Sequence, residues 1–203
     1  MFFFFWDQPT RLGDIASITA GISPTRLPPS ADEGAAFPVI SLSDVDKEVR
    51  AREQLATVST LRPAAERFLV RVNDVVVTTR GTDIRAAVIT KSHDGAIAGA
   101  NLAIVRLEGG LLPSLLVVFL RRPQTQEALL QTTAGASTPG FPLRSLDELR
   151  VRVPPKQRQL TMAQMIEATQ GYREAITRAV QLRERACNEV ITRELAPRGS
   201  TGD

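Results

Sequence analysis

The sequence is poor in the residues on which metal sites and disulfides depend. Its 203 residues include one cysteine, one histidine and three lysines, and aromatic residues make up only 5%. The single cysteine, Cys187, excludes an intrachain disulfide and a cysteine-based zinc site, and this usage agrees with a reducing, cytoplasmic compartment. His93 is the only histidine, so a metal site would need carboxylates alone. We therefore predict no metal and no cofactor, and we interpret His93 as a surface imidazole in a turn.

Motifs of the common catalytic classes are missing as well. No G-x-x-x-x-G-K-[ST] loop occurs, no G-x-G-x-x-G follows a strand, and no serine lies in a G-x-S-x-G elbow. The double prolines at 28–29 and 154–155 follow neither Asn nor Asp and precede no aromatic residue, so the amino-methyltransferase tetrapeptide is absent. The sequence predicts a binding protein, with any catalysis supplied by another chain.

Long apolar runs are also lacking. The segment 1–6 is apolar but stops at Asp7, lacks a basic flank and is far too short to span a bilayer. We expect an edge strand or an aromatic plug there, packed on the body or on a partner, and we expect no targeting segment and no membrane association.

Charge of one sign is in small excess. The net charge is +3 and the pI is near 9.6, which is too mildly basic to identify a nucleic-acid-binding protein. The kind of base is more informative, because 22 of the 25 basic residues are arginines, whose planar fork binds phosphate or guanine bidentately. A GC-rich genome would produce the same bias, so the arginines alone leave the function open.

Hydrophobic periodicity predicts an α+β body with a mixed sheet and short helices. Strands are predicted at Phe37–Ser41, at Ile84–Thr90, at Leu102–Leu107, at Val151–Val153 and on both sides of a tight turn at Asn73-Asp74 within Phe68–Thr79. Helices are predicted at Leu12–Thr19, from Pro113 to Arg121, and at Gln124–Thr132. We interpret Asp44–Leu55 as a charged, irregular insertion and residues 133–140 as a loop of small residues.

No proline interrupts the chain from Gln157 to Leu195, which predicts a helix of roughly 55 to 60 Å. A body of this size cannot cover such a helix, so a partner helix is expected. A weak heptad predicts a coiled coil, with candidate dimerisation residues Met162, Met165, Thr169, Tyr172, Ile176, Ala179 and Val190. Gly171 indicates a close backbone approach, a kink or a tolerated exposed glycine. The predicted division is a body over 1–153, a long helix over 154–196 and a flexible tail over 197–203.

Several short motifs occur in a specific order. They are Trp6, Leu12-Gly13-Asp14-Ile15, Gly21-Ile22-Ser23-Pro24, Asn73 to Thr82, Ala100 to Arg106, Gly135, Leu143, Val151-Arg152-Val153-Pro154-Pro155 and Gln159. Together they resemble the specificity subunits of type I restriction-modification systems, and the resemblance runs from about Trp6 to Leu195.

This resemblance implies a DNA target recognition domain followed by a spacer helix. Subunits of the family usually hold two such domains and two helices, whereas this chain holds one of each, so it looks like a half-subunit. We expect a homodimer through antiparallel C-terminal helices, which would favour a palindromic bipartite site in double-stranded DNA. Methyltransferase subunits, and a restriction subunit as well, are the expected further partners. Pairing with a different half-subunit, or a truncated remnant, are the alternatives.

Candidate DNA-binding residues fall in three groups, because phosphate contacts come from basic loop residues and base contacts from polar ones. The groups are Arg80, Thr82, Arg85 and Lys91; Ser137 and Thr138; and Lys47, Arg50 and Arg52. Two other hypotheses stay open. One is a helix-mediated dimeric adaptor without DNA binding, and the other is a recognition subunit of another defence system.

Overall fold

The computed structural model describes residues 8–29, 35–131 and 139–195. Contacts between Cα atoms divide the chain between Leu160 and Thr161 into two compact units. The aromatic run before Asp7, the candidate residues Ser137 and Thr138, and the predicted tail over 197–203 lie outside the described residues.

The first unit holds nine strands and four short helices among its described residues, with a fifth helix beginning at its end. The strands are β1 (Thr10–Arg11), β2 (Ala16–Ala20), β3 (Ala35–Ile40), β4 (Ala56–Thr60), β5 (Val75–Thr78), β6 (Ala86–Val88), β7 (Ile97–Ala98), β8 (Leu102–Leu107) and β9 (Arg150–Val151). The helices are α1 (Arg62–Ala65), α2 (Pro113–Leu120), α3 (Pro123–Leu130), α4 (Leu143–Glu148) and α5 (Lys156–Leu195).

A four-stranded antiparallel sheet in the order β2-β8-β5-β6 forms the centre of this unit. Its strand β5 is buried on both faces, because alternate side chains of a strand point to opposite sides. Val75 and Val77 pack with Leu116 and Leu120 of α2, whereas Val76 packs on the other face in a separate apolar cluster. An unbroken valine run is therefore what this position requires.

A second sheet gives the fold its mixed strand orientation. In the order β4-β3-β7, strand β3 pairs antiparallel with β4 and parallel with β7. Phe37, Val39 and Ile97 pack there with Leu27 and Leu69. A small β1–β9 pair completes the set of strands seen in the described residues. The predicted α+β class is confirmed, as are strand β8 and helices α2 and α3 to within about two residues.

Three local predictions were wrong. The predicted helix Leu12–Thr19 is a short 3-10 turn, Leu12–Asp14, followed by β2, because five residues of β2 pair with β8 and this ladder outweighs the helical spacing. The first half of Phe68–Thr79 is not a strand, since Phe68 lies in a 3-10 turn and Leu69 makes an isolated bridge to Ile97. The turn itself is present, with Asn73 at a φ of 72°.

The third wrong prediction concerns His93, which is buried. Its Nε2 lies 2.9 Å from the carbonyl oxygen of Arg50 and donates to it, since a carbonyl oxygen can only accept. In the neutral ring Nδ1 then accepts from the Thr90 hydroxyl at 3.0 Å. The imidazole therefore ties the irregular segment around Arg50 to the turn that follows β6.

Helix α5 is confirmed over Lys156–Leu195. Gln159 is buried near its start. Its Oε1 accepts from the Leu112 N–H at 2.8 Å, and its Nε2 donates to the carbonyl oxygens of Gly110 and Pro154 at 2.5 and 2.7 Å. Three bonds from one amide explain why a glutamine follows the double proline: it satisfies backbone groups that would otherwise be buried without partners.

In the second unit, helix α5 exposes nearly all of its described side chains. Met165, Tyr172 and Val190 are 66%, 69% and 62% exposed, and the Thr169 hydroxyl donates to the Met165 carbonyl oxygen of the same helix at 2.8 Å. The helix is continuous through Gly171, where an added Cβ would meet no atom within 4 Å. No described contact within the chain therefore requires a glycine there.

Candidate nucleic-acid interface

The ends of the four-stranded sheet define two edges. Neighbouring strands run antiparallel, so the C-terminal ends of β2 and β5 lie beside the N-terminal ends of β6 and β8. We call the segments there, residues 20–26, 79–85 and 99–101, the loop edge. We call the segments at the other ends of the strands, residues 69–74, 89–94 and 106–108, the far edge.

The loop edge is a connected set of turns. The Thr79 N–H donates to the Asn101 carbonyl oxygen at 2.8 Å, and the Gly81 N–H donates to the Pro139 carbonyl oxygen at 3.0 Å. The Phe141 N–H donates back to the Thr79 carbonyl oxygen at 3.1 Å. The turn holding Arg80 is thus joined to residues 139–141, where the described chain resumes.

Two glycines set the spacing of the loop edge. A Cβ on Gly21 would lie 2.1 Å from the Gly99 carbonyl oxygen, and a Cβ on Gly99 would lie 2.7 Å from that of Ile40. These distances are too short for any side chain, and the backbone atoms that cause them cannot move aside cheaply. The backbone at Gly21 therefore packs directly against the backbone at Gly99, and Gly99 packs directly against Ile40. The Gly21 N–H also donates to the Leu102 carbonyl oxygen at 2.8 Å.

Three of the predicted DNA contacts meet at the loop edge. Arg80 and Thr82 are exposed and Arg85 is half-buried; the Arg85 N–H donates to the Thr78 hydroxyl at 2.8 Å. Neither Arg80 nor Arg85 takes part in an ion pair within residues 8–29, 35–131 and 139–195. The ion pairs found there are Arg11–Asp147, Arg50–Asp44, Arg62–Glu66, Arg106–Asp74 and Arg144–Glu148.

Lys91, predicted to join Arg80 and its neighbours, lies at the far edge. The paired stretch from Arg85 to Ile89 separates the two ends, a distance of roughly 13 Å along an extended strand. Arg50 and Arg52 accompany Lys91 instead. Arg52 donates from one nitrogen to the carbonyl oxygens of Ser92 and Asp94 at 3.1 and 3.0 Å, and Nε of Arg50 lies 3.4 Å from Asp44 Oδ1.

A partly buried ion pair anchors the far edge. Arg106 donates from Nε and a terminal nitrogen to both carboxylate oxygens of Asp74, at 2.9 and 2.7 Å. This hydrogen bonding raises the pKa of Arg106 above its ordinary value, against the opposing effect of burial. Asp74 also accepts from the Arg71 N–H at 2.7 Å. Asn73 therefore supplies the positive φ of the turn, and Asp74 joins that turn to Arg106 on strand β8.

Lys47, the remaining predicted contact, is exposed beside a guanidinium that binds backbone carbonyls. Arg121, at the end of α2, donates to the carbonyl oxygens of Asp46, Lys47 and Ala86 at 3.2, 2.5 and 2.6 Å. Burial lowers the pKa of Arg121 from its ordinary value. This side chain attaches the irregular insertion to the first residue of β6.

Sequence reasoning missed a cleft next to the loop edge. It has a volume of about 640 Å³, and its lining includes Ser23, Thr25, Arg26, Arg67 and Asn101. Two of these residues, Ser23 and Asn101, lie in the sequence motifs at 21–24 and 100–106, so the motifs could have indicated part of the cleft. Nothing in the sequence connected them with Arg67, because the 3-10 turn that carries it is brought there by the fold.

The described residues were also compared with the requirements of a metal site and of a membrane-spanning helix. Among the described residues, no group of three or more His, Cys, Asp or Glu side chains is placed to hold a metal ion. None of the described helices combines the length and the apolar character needed to cross a bilayer.

Solved structures share this fold. A chain from a structural study of complex assembly and conformational transition of the type I R-M system matches with a TM-score of 0.66 at 18% identity, over 97% of this chain and 50% of that chain. The HsdS subunit from Thermoanaerobacter tengcongensis matches with a TM-score of 0.65 at 18% identity, over 97% and 51%. The type I restriction-modification S subunit from M. genitalium gives 0.53 at 13% identity, over 89% and 43%.

The chain thus spans about half the length of each of these solved structures. At these identities the likeness establishes a shared fold, and the resemblance predicted from the ordered sequence motifs is confirmed at that level. No family model matches the sequence, and no curated protein matches it.

Proposed function

We propose that this chain is a DNA-recognition half-subunit that directs methyltransferase subunits, and a restriction subunit with them, to a specific site. The observation that carries this proposal is the loop edge: Arg80, Thr82 and Arg85 lie together there, without an ion pair from Arg80 or Arg85 among the described residues. The shared fold with half of an S subunit supports it.

Each group at the loop edge has a chemical role in this proposal. Arg80 and Arg85 bind backbone phosphates and fix the register, while Thr82 reaches a base edge. Ser137 and Thr138 remain candidates in this proposal because the residue that follows them, Pro139, accepts from the Gly81 N–H. Lys91, Arg50, Arg52 and Lys47 contribute less, because two of these side chains already bind groups of the protein.

Two copies would supply the two recognition domains of a complete subunit. The exposed face of α5, with Met162, Met165, Thr169, Tyr172, Ile176, Ala179 and Val190, offers the apolar side chains that a coiled-coil partner covers. An antiparallel pair has a twofold axis, so a homodimer would read a palindromic bipartite site. Pairing with a different half-subunit would read two unlike halves. The outer face of the helix pair then remains available to methyltransferase chains.

Light scattering tests the dimer. We expect a mass of about twice the 22.1 kDa of the monomer, and we expect Tyr172→Lys with Ile176→Lys to return it to the monomer. Glu174→Lys, on the same exposed stretch but off the heptad, is the matched control and should leave the mass unchanged. A monomer at every concentration would contradict self-pairing.

Profiling of methylated DNA motifs in the source genome, with and without this gene, tests the guiding role directly. We expect one bipartite motif to lose its methylation when the gene is deleted. An unchanged set of motifs would contradict the proposal. A dimer that binds no DNA, alone or with a methyltransferase subunit, would instead support the adaptor hypothesis, and the neighbouring genes would distinguish a restriction system from another defence system.

A further inference from the structure

The cleft beside the loop edge has the composition of an anion site. Its walls come from the end of β2 with the turn after it, from the 3-10 turn Glu66–Phe68, and from the residues just before β8. None of the described residues that line the cleft is acidic, whereas two of them, Arg26 and Arg67, are basic. Neither arginine forms an ion pair within the described part of the chain.

The guanidinium of Arg67 lies over the neighbouring aromatic ring, although the side chain is exposed. Its guanidinium carbon lies 5.1 Å from the centroid of the Phe68 ring, a distance at which the ring face attracts the cation. A guanidinium that rests on a ring keeps its N–H groups directed outward in one plane, where they match the oxygens of a phosphate. Less side-chain entropy is then lost when an anion binds.

Neutral donors lie beside the two cations. The hydroxyls of Ser23 and Thr25 are 2.8 Å apart, so one donates to the other and the second hydroxyl hydrogen remains available to a ligand. Asn101 lines the same cleft with its backbone at a φ of 64°. Two arginines, two hydroxyls and an amide around one cleft favour a phosphate over a neutral ligand.

The cleft is continuous with the proposed DNA contacts. The backbone carbonyl oxygen of Asn101 accepts from the Thr79 N–H at 2.8 Å, and Thr79 directly precedes Arg80. A ligand in the cleft and a ligand on Arg80 are therefore positioned by the same hydrogen-bonded turns. A volume of about 640 Å³ holds more than a bare phosphate, so a sugar-phosphate unit fits it better than a small ion.

We propose that this cleft binds a backbone phosphate of the DNA, with Arg26 and Arg67 as its ligands, and that this contact fixes the register of the loop edge on the duplex. The inference rests on the proposed function. It assigns a sequence-independent contact to residues outside the groups that the sequence suggested.

Binding of the full-length chain to two duplexes of about 40 base pairs tests the proposal, one of random sequence and one carrying the motif found by methylation profiling. The variants are Arg26→Ala, Arg67→Ala and the double variant. Arg71→Ala is the matched control, since Arg71 is also exposed and free of ion pairs in the described residues but lies at the far edge.

We expect the double variant to weaken binding about tenfold at 0.1 M salt and to reduce the slope of log K against log salt by about 0.9, as loss of one phosphate contact does, and each single variant to lose part of both. The loss should be equal on both duplexes. Arg67→Lys should keep the slope and lose part of the affinity, since the charge remains but the fork is gone. Unchanged thermal melting would show that the variants fold.

Three results would overturn the inference while leaving the proposed function intact. They are cleft variants that bind like Arg71→Ala, weaker binding with an unchanged salt slope, and a loss confined to the motif duplex, which would mean base reading. A wild-type chain that binds neither duplex, even with a methyltransferase subunit present, would overturn the proposed function and the inference with it.

Discussion

Arg106 at the far edge of the four-stranded sheet, and Arg52 beside it, hold parts of the protein together, whereas Arg80 at the loop edge forms no ion pair among the described residues. Arg106 grips both oxygens of Asp74, and Arg52 binds two carbonyl oxygens of the turn after β6. Arg80, in contrast, is exposed and outside every ion pair of the described residues. Arg106 and Arg52 thus serve the fold, whereas Arg80 remains available to a ligand, and Arg71 is a solvated arginine at the far edge that serves as a control.

This difference separates two effects that an arginine substitution can have. An arginine already bonded within the chain has given up its water, so removing it or its partner costs stability. A solvated arginine contributes little to folding, and its loss is felt only by a ligand. Measuring stability and DNA affinity on the same variants therefore tests the assignment of each edge.

The largest expected effect is on stability. Asp74→Ala leaves the guanidinium of Arg106 without its carboxylate, and breaking such a pair should cost about 3 kcal/mol, toward the low end for buried pairs because Arg106 is a third exposed. Urea unfolding measures this loss. The control is Asp83→Ala, an exposed aspartate at the loop edge, which should change stability by less than about 0.5 kcal/mol. Equal losses in the two variants would refute the structural role of the far edge.

The next effect is on DNA affinity. Arg80→Ala combined with Arg85→Ala should weaken binding about a hundredfold at 0.1 M salt and flatten the salt slope by about 1.8, with little change in stability. Fluorescence anisotropy with a labelled duplex gives both quantities. Arg71→Ala, a solvated arginine at the far edge, is the control, and a loss as large as that of the double variant would erase the distinction between the edges.

Arg52→Ala should have a smaller effect, confined to stability. The side chain donates to the carbonyl oxygens of Ser92 and Asp94 while remaining partly solvated, so its loss should cost about 1 kcal/mol. Chemical denaturation measures this cost. DNA affinity at constant temperature should stay within twofold of wild type, and a tenfold drop would mean that the irregular insertion touches DNA after all.

Lys91→Ala should change least. Lys91 is exposed at the far edge, away from Arg80 and Arg85, so affinity should fall less than twofold and stability should remain as it is. Anisotropy titrations of Lys91→Ala and Arg85→Ala, run side by side, make the comparison direct. Similar losses would restore the single group that the sequence suggested.

Local sequence patterns predicted the elements whose partners are near or whose periodicity is strong. The apolar face opened by Pro113 predicted α2, and the uninterrupted stretch after Gln157 predicted α5. Patterns failed at β2, where pairing with β8 some 90 residues away decides the conformation, and at the short strands β4 and β7. A two-residue strand such as β7 carries no periodicity of its own.

The candidate site divided in the same way. Residues 80–85 lie together because a single turn carries them. Lys91, predicted to act with them, lies at the other edge because strand β6 intervenes. The bonds of Arg106 and Arg52 join residues far apart in the chain: Asp74 and Arg106 are 32 positions apart, and Arg52 reaches carbonyls 40 and 42 positions away. No local pattern contains that information.

The direct backbone contact between Gly21 and Gly99 has a consequence for how such a domain diversifies. Because these two backbones touch without intervening side chains, the spacing between the loops does not depend on which residues the loops carry. Neighbouring positions such as Thr25 and Thr82 can then be exchanged one at a time while the strand ends stay in place. New binding preferences would be reached by single steps, each starting from a folded protein, without a passage through unstable intermediates.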